Sequence, residues 1–337
     1  MTTVAIIGAS GYSGAELVRL LARRADVRLT HLIASSSAGK RFDDMYPAMT
    51  GITDIILEPL DYGRLQDTDI AFVALPSGEG MKVVPELLRT VPKVIDLGGD
   101  FRLPNVRLYE EFYNHTHLAP SLLTCARYGL PELNRKTIRD ARLVANPGCY
   151  STSAILALYP AVASGIISEN HIVVNSLSGI SGAGRSAKQE MSFTELNENA
   201  KAYKIGTHQH TPEMEWALES ATSKKVQLSF VPHLIPITRG IYTTIHADLC
   251  QNLSSEEVIA LYRSYYSNEP FVRVRDQAPQ IKHVVQTNYC DIHVVVDART
   301  NQLIITSVID NLIKGAAGQA IQNLNIMLGV PEQTGLI

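Results

Sequence analysis

In the stretch ANPGCYSTSAILALYP, residues 145–160, a cysteine directly follows Asn-Pro-Gly and directly precedes apolar residues at helical spacing. Pro147 and Gly148 end a strand with a turn, which places Cys149 at the N-terminus of a helix. There the helix dipole and unpaired amides favour the thiolate, whereas an ordinary thiol with a pKa of about 8.5 is only a few per cent ionised near neutrality. Cys149 is thus a candidate nucleophile, and a buried structural thiol is the alternative. A partner acid or base is offered by GTHQHTPEMEWAL, residues 206–218, where His208 and His210 alternate and turn their rings the same way if the segment is extended. Thr211 is expected to cap a helix with Pro212 at its first position. The two histidines are alternatively surface groups or a metal pair, and NHTH at 114–117 repeats their spacing. No H-E-x-x-H or carboxylate cluster accompanies either pair, so no metal is expected.

Anions have several candidate partners: SGISGAGR (178–185), whose glycines and serines could expose amides, PHLIPITRG with Arg239, and DLGGDFR with Asp100 and Arg102. Each is otherwise a turn or a surface ion pair. GASGYSG, with Gly8, Gly11 and Gly14, lies between an apolar run and an amphipathic one. The first glycine permits a tight turn, the second lets a pyrophosphate approach the backbone, and the following helix N-terminus supplies amides and partial positive charge. The spacing is G-x-x-G-x-x-G rather than the commoner G-x-G-x-x-G, and a packing turn is the alternative. Where an acidic residue would grip a ribose 2'-hydroxyl, the chain reads ASSSAGKR, residues 34–41. Ser35, Ser36 and Ser37 can hydrogen bond a 2'-phosphate and Lys40 or Arg41 can balance it, which favours NADP over NAD.

Positioning these groups requires a parallel sheet and a second layer system. Apolar runs at 3–8, 27–35, 69–76, 93–99 and 142–148 alternate with helical patterns at 14–24 and 78–90, the latter interrupted by Pro85. This is the pattern of an α/β, Rossmann-type dinucleotide-binding domain. After Cys149 come long strand-like runs at 171–179, 226–249 and 291–310, the last with a hairpin turn at 299–302. A helix should start near Ser254, where Glu257 completes a capping box. The second half therefore reads as an α+β substrate domain, and the helical tail 311–329 should pack back on the first domain. A chain of 337 residues has room for two cores, and its net charge of −3 argues against nucleic acid. Cys125, Cys149, Cys250 and Cys290 form no C-x-x-C pair, although two disulfides remain open. No basic leader or long apolar run is seen, so a soluble, cytoplasmic protein is expected.

Taken in order, GASGYSGAEL, ALPSG, DFRL, YGLPEL, NPGCYST, SGISGAGR, NENAKAY, HQHTPEME, FVPHLIPITRGI and NLIKGAAGQAIQN resemble the N-acetyl-gamma-glutamyl-phosphate reductases, relatives of aspartate-semialdehyde dehydrogenase, nearly end to end. The resemblance implies an NADP-binding domain over 1–148 plus 312–337 and a catalytic, substrate and dimerisation domain over 149–311. It implies Cys149 as nucleophile and His208 as acid/base, with substrate held by Arg102, Asn146, Ser181, Gly182, Arg185, His210, Glu213 and Arg239. NADP would meet Gly8, Ser10, Gly11, Tyr12, Ser13 and Gly14, then Ser35, Ser36, Lys40 and Arg41, then Pro76 and Ser77, with Gly184, Asn311 and Gly315 from later segments. A small acyl phosphate substrate and a homo-oligomer, dimer or tetramer, follow from the same resemblance. Two departures stand out: the family often has an arginine where Ser36 or Ser37 stands, and DLSADFR is DLGGDFR here. The rival readings are the same chemistry on aspartyl phosphate and a non-catalytic NADP-sensing module.

Overall fold

The computed structural model describes residues 1–186 and 189–337. The chain forms two compact units, Met1–Gly148 with Ala316–Ile337, and Cys149–Gly315. In chain order the first unit contributes β1 (Thr2–Ile7), α1 (Tyr12–Leu21), β2 (Val27–Ile33), the single turn α2 (Phe42–Met45), β3 (Ile70–Val73), α3 (Gly80–Thr90), β4 (Lys93–Asp96), α4 (Val106–Tyr113), β5 (Arg127–Tyr128), α5 (Pro131–Arg139) and β6 (Leu143–Ala145). The second unit contributes α6 (Cys149–Ser164), β7 (Ile172–Ser178), the turn α7 (Phe193–Leu196), β8 (Lys201–Ala202), α8 (His210–Thr222), β9 (Leu228–Leu234), β10 (Ile241–Asp248), α9 (Ser255–Tyr265), β11 (Val272–Val274), β12 (Cys290–Asp297) and β13 (Gln302–Ile309). A π turn (Ile313–Ala317) then leads into α10 (Gly318–Leu328). The return to the first unit, expected at residue 312, falls at Ala316 because most of that π turn belongs to the second unit.

Strand order in the first unit is β2-β1-β3-β4-β6-β5, with every pairing parallel. Alternate residues of β1 feed opposite cores: Val4 and Ile6 meet Leu17, Leu21, Ile321 and Leu324, whereas Ala5 and Ile7 meet Val84 and Leu87. Helices α1 and α10 thus cover one face and α3 the other, which is why the strands read as unbroken apolar runs. Chain order reverses between β1 and β3, the position at which open α/β sheets bind ligands beyond the strand ends. Helix α10 is buried almost throughout, and three of its side-chain amide nitrogens reach backbone: Asn323 Nδ2 and Gln319 Nε2 donate to the Gly129 carbonyl, and Asn325 Nδ2 to those of Glu332 and Thr334, while Asn323 Oδ1 and Gln319 Oε1 are buried without a hydrogen-bond partner.

The second unit is a mixed sheet ordered β11-β12-β13-β10-β7-β9-β8. The run 226–249 is two strands on opposite sides of β7, β9 parallel to it and β10 antiparallel, so their connection is a crossover loop and not a hairpin. The β12–β13 hairpin and the Ser254–Glu257 capping box are present. Helix α6 is apolar on nearly all sides and lies buried beneath α8 and α9. Its Ser153 Oγ is 3.0 Å from both Thr243 Oγ1 of β10 and Ser307 Oγ of β13, and Ser176 of β7 extends this dry hydroxyl chain. Pro160 has no N–H for the Leu156 carbonyl. The Tyr266 hydroxyl supplies that missing donor at 2.5 Å, and Tyr262 donates to the next carbonyl, Ala157, at 2.8 Å.

Tyr266→Phe should therefore strand the Leu156 carbonyl and lower unfolding free energy by about 1–3 kcal/mol. Tyr265→Phe removes only a surface contact with Ser164 and should stay within about 0.5 kcal/mol of the parent. Urea melts of the two variants test the difference.

Candidate active site

In the first unit, β1 ends at Gly8, whose φ of +87° and lack of space both require glycine: a Cβ there would lie 2.3 Å from the Ala74 carbonyl oxygen. Gly14 is equally closed, a Cβ meeting the Gly8 oxygen at 2.3 Å. Gly11 differs, with only the Gly8 oxygen at 3.5 Å nearby, and it is the N-cap of α1 with no side chain on the free amides. Two glycines thus hold the loop against strand and helix while the third leaves the helix N-terminus open, a cradle that fits a pyrophosphate. Tyr46 buttresses it by donating to the Ser10 carbonyl at 2.8 Å. Tyr12, Pro76 and Ser77 are exposed and Ser10 and Ser13 partly so. After β2, Ser35, Ser36 and Lys40 are also exposed. Arg41 instead forks onto the Asp43 carboxylate. Glu58 is brought beside the end of β2, but its carboxylate is engaged by Arg64 at 2.8 Å.

Beyond β4 lie two buried carboxyl groups. Asp100 Oδ1 accepts from the Gly78 amide (2.7 Å) and the Tyr109 hydroxyl, and Oδ2 from the Met81 amide (2.9 Å), which holds the Pro76–Ser77 turn on the start of α3. Burial and the Asp100 charge push the Asp96 carboxyl up to about 7, against the opposing Gly98 amide and Arg102. Arg102, expected at the substrate, is buried and donates to the backbone carbonyls of Asn146 (2.8 Å) and Leu97 (2.7 Å). Asn146 is fully buried too: its Nδ2 donates to the Ala316 carbonyl and its Oδ1 accepts from Asn323. Both side chains hold the backbone that leads into Cys149.

Cys149 is the first residue of α6 and is partly exposed. All four cysteines are free thiols. In the second unit Tyr150 and Tyr203 lie near enough to feel the charge of Cys149, and the rings of His208 and His210 pack against Tyr150. Burial, then the mutual influence of the two phenols and the Cys149 charge, raises the Tyr150 hydroxyl pKa; burial and Cys149 raise that of Tyr203. The Tyr203 hydroxyl donates to Tyr150 at 3.0 Å, and the Tyr150 ring packs edge-on to both imidazoles. The histidines do not alternate along an extended segment. Helix α8 begins at His210 with Gln209 as N-cap, so Thr211 is inside the helix and does not cap it, and the imidazoles pack edge to face at 4.7 Å. The His210 amide donates to His208 Nδ1 at 3.1 Å, which fixes the neutral ring's proton on Nε2. Burial first, then His210 and Lys204, depress the His208 pKa to about 2, with Glu213 opposing.

Comparisons with known proteins assign the chain to a family. Residues 3–141 match the family described as semialdehyde dehydrogenase, NAD binding domain, and residues 149–311 the semialdehyde dehydrogenase, dimerisation domain. An N-acetyl-gamma-glutamyl-phosphate reductase from Pelotomaculum thermopropionicum is 49% identical, covering 99% of this chain and 97% of the relative. One from Geobacter sulfurreducens is 46% identical over 100% of this chain and 98% of its own. The chain belongs to the N-acetyl-gamma-glutamyl-phosphate reductase family. Two solved structures share its fold: aspartate semialdehyde dehydrogenase II from Vibrio cholerae complexed with ASA (TM-score 0.74, 18% identity, 98% of each chain), and aspartate semialdehyde dehydrogenase with NADP from Candida albicans (TM-score 0.74, 17% identity, 97% of this chain and 99% of that one).

The remaining residues expected of an N-acetyl-gamma-glutamyl-phosphate reductase are distributed as follows. Arg239, on the loop between β9 and β10, places Nη1 3.5 Å from Asp310 Oδ2. Asn311 is buried and ties that loop to the Ser178–Arg185 segment, accepting from the Gly240 amide at 2.8 Å and donating to Ser181 Oγ at 2.9 Å. Gly182, Gly184 and Arg185 are exposed, and Glu213 is fully buried in the first turn of α8. Gly315 lies against Cys149 itself. Tyr150, Tyr203 and Asp96 are additions; the two carboxylates of DLGGD at a strand end were the available signal for the last. Among the described residues no group of three or more His, Cys, Asp or Glu could hold a metal ion, and no helix is long and apolar enough to cross a membrane.

The two perturbed groups have opposite pH signatures. His208, lowered from 6.5, gives stability that is complete above about pH 6.5 and lost as pH falls towards 2; Asp96, raised from 3.8, gives stability complete below about 3.8 and lost as pH rises through 7. Relative to the parent, His208→Asn should therefore gain stability as pH falls below 6.5, and Asp96→Asn as pH rises from 4 to 7, each by roughly 1 kcal/mol per pH unit. Parallel slopes for parent and variants in denaturant melts at stepped pH would contradict these assignments.

Proposed function

We propose that the chain catalyses NADPH-dependent reductive dephosphorylation of N-acetyl-gamma-glutamyl phosphate to N-acetyl-L-glutamate 5-semialdehyde, a step of arginine biosynthesis, through a thioester on Cys149. The observation that carries this reading is the thiol at the head of a buried helix, followed by Tyr150, whose ring packs on a neutral His208, in a chain whose relatives of that name match it end to end. Cys149 Sγ attacks the acyl carbon, the carbon–oxygen bond to phosphate breaks, and backbone amides at the N-terminus of α6 steady the oxyanion. Bound NADPH supplies a hydride to the thioester carbon. His208, with its proton on Nε2, donates a hydrogen bond to the carbonyl oxygen and steadies the negative charge that gathers there, and collapse of the tetrahedral adduct re-forms the carbonyl and expels the thiolate. So low a pKa makes His208 a poor resting base, and the helix N-terminus has to sustain the thiolate.

The open α1 N-terminus supports pyrophosphate binding at Gly8–Gly14, and the exposed Ser35, Ser36 and Lys40 support a 2'-phosphate, hence NADP. Arg239 and the Gly182–Arg185 loop are the anion partners for the substrate. Alternate residues of the second sheet leave Val173, Leu177 and Val295 exposed, which supports a homodimer through that face, in keeping with the dimerisation-domain match. Four free thiols fit the reducing cytoplasm.

Incubation with the acyl phosphate without NADPH should leave an acyl adduct on Cys149, seen by intact mass and peptide mapping. An unmodified mass in a preparation that turns over would contradict the thioester. Cys149→Ser should lose roughly three orders of magnitude in rate or more. Aspartyl phosphate should be the poorer substrate in side-by-side assays.

A further inference from the structure

The residue in closest conflict with any enlargement around Cys149 is Gly315. A Cβ on Gly315 would lie 2.7 Å from Cys149 Cβ, nearer than carbon atoms approach, and a tight 3.2 Å from its Cα. Gly315 is not among the residues with positive φ, so its backbone conformation does not call for glycine; the space does. It is held there by an anchor. The Gly315 amide donates to the Asp310 carbonyl at 2.9 Å, five residues back, and the chain continues as the π turn Ile313–Ala317. The fully buried Asp310 carboxylate fixes the start of that turn: Oδ1 accepts from the Leu312 and Ile313 amides (2.8 and 3.1 Å), and Oδ2 from Gln286 (2.7 Å). The same Oδ2 faces Arg239 at 3.5 Å.

We propose that Gly315, held by the Asp310-headed turn, is a positioning residue for Cys149, a backbone wall that sets where the thiol sits at the mouth of α6. The first residue of a helix is held by fewer intrahelical bonds than any later one, so its side chain takes its position from what packs against it. A single π turn is a costly backbone feature, retained mainly where a site needs it. The proposal rests on the reading of Cys149 as the nucleophile, but its test does not use the reaction.

Iodoacetamide labelling followed by peptide mass spectrometry measures thiolate at each cysteine. Cys125 and Cys250, both exposed, serve as standards within the same molecule. Gly315→Ala should lower Cys149 labelling relative to these standards by about tenfold or more and move its pH inflection upwards, as the sulfur leaves the helix amides. Asp310→Asn, which keeps the shape but weakens the turn, should shift both in the same direction by a smaller amount, and it serves where the alanine variant fails to fold. A lower melting temperature with Cys149 labelling and inflection as in the parent, in either folded variant, overturns the proposal. A parent that labels as expected yet reduces no acyl phosphate overturns the proposed reaction instead.

Discussion

Helix α6 is apolar on almost every side, and like any helix it begins with backbone N–H groups that have no partner within it. A helix buried in this way can present those amides only at its mouth, and the residue at the mouth is Cys149. The hydroxyl chain from Ser153 to Thr243 and Ser307 fixes the helix on the sheet, Tyr262 and Tyr266 satisfy the carbonyls that Pro160 disturbs, and Gly315 closes one side of the first residue. The rest of the second unit can be understood as a mounting for one helix terminus and one sulfur.

Buried amide side chains do comparable work at the ends of strands. Asn146 and Asn323 connect the exit of β6 to α10, and Asn311 connects two loops that flank Arg239. Asn146 and Asn311 each place both ends of a carboxamide on partners, so neither carries the desolvation cost of an unmade hydrogen bond, whereas Asn323 donates twice from Nδ2 and its buried Oδ1 has no hydrogen-bond partner. Asn146 and Asn311, which the family resemblance assigns to substrate and cofactor, are both buried.

Much of the architecture was legible because its signals are local. Apolar runs alternating with helical spacing marked the parallel sheet, the three glycines marked the turn after β1, and Ser254 with Glu257 marked the start of α9. What was not legible depends on contacts made at a distance. Residues 226–249 look like one extended segment, and only the pairing of β9 and β10 on opposite sides of β7 shows the crossover. Thr211-Pro212 looks like a cap and first residue, yet the helix starts earlier at His210. The return at residue 312 was expected to be plain helix, whereas a π turn anchored by Asp310 intervenes.

The electrostatics of the site follow the same division. From its residue type His208 is a group that titrates near neutrality; in place, buried among aromatic rings and beside His210, it is neutral far below that. An imidazolium would have stabilised a thiolate by ion pairing, and this ring cannot. In the proposed reaction the negative sulfur draws its stabilisation from the helix terminus, and the histidine acts as a donor of fixed tautomer, since the His210 amide already occupies Nδ1. A site divided in this way separates making the nucleophile from steadying the oxygen, and it makes the position of one sulfur atom relative to a few amides the quantity on which both depend.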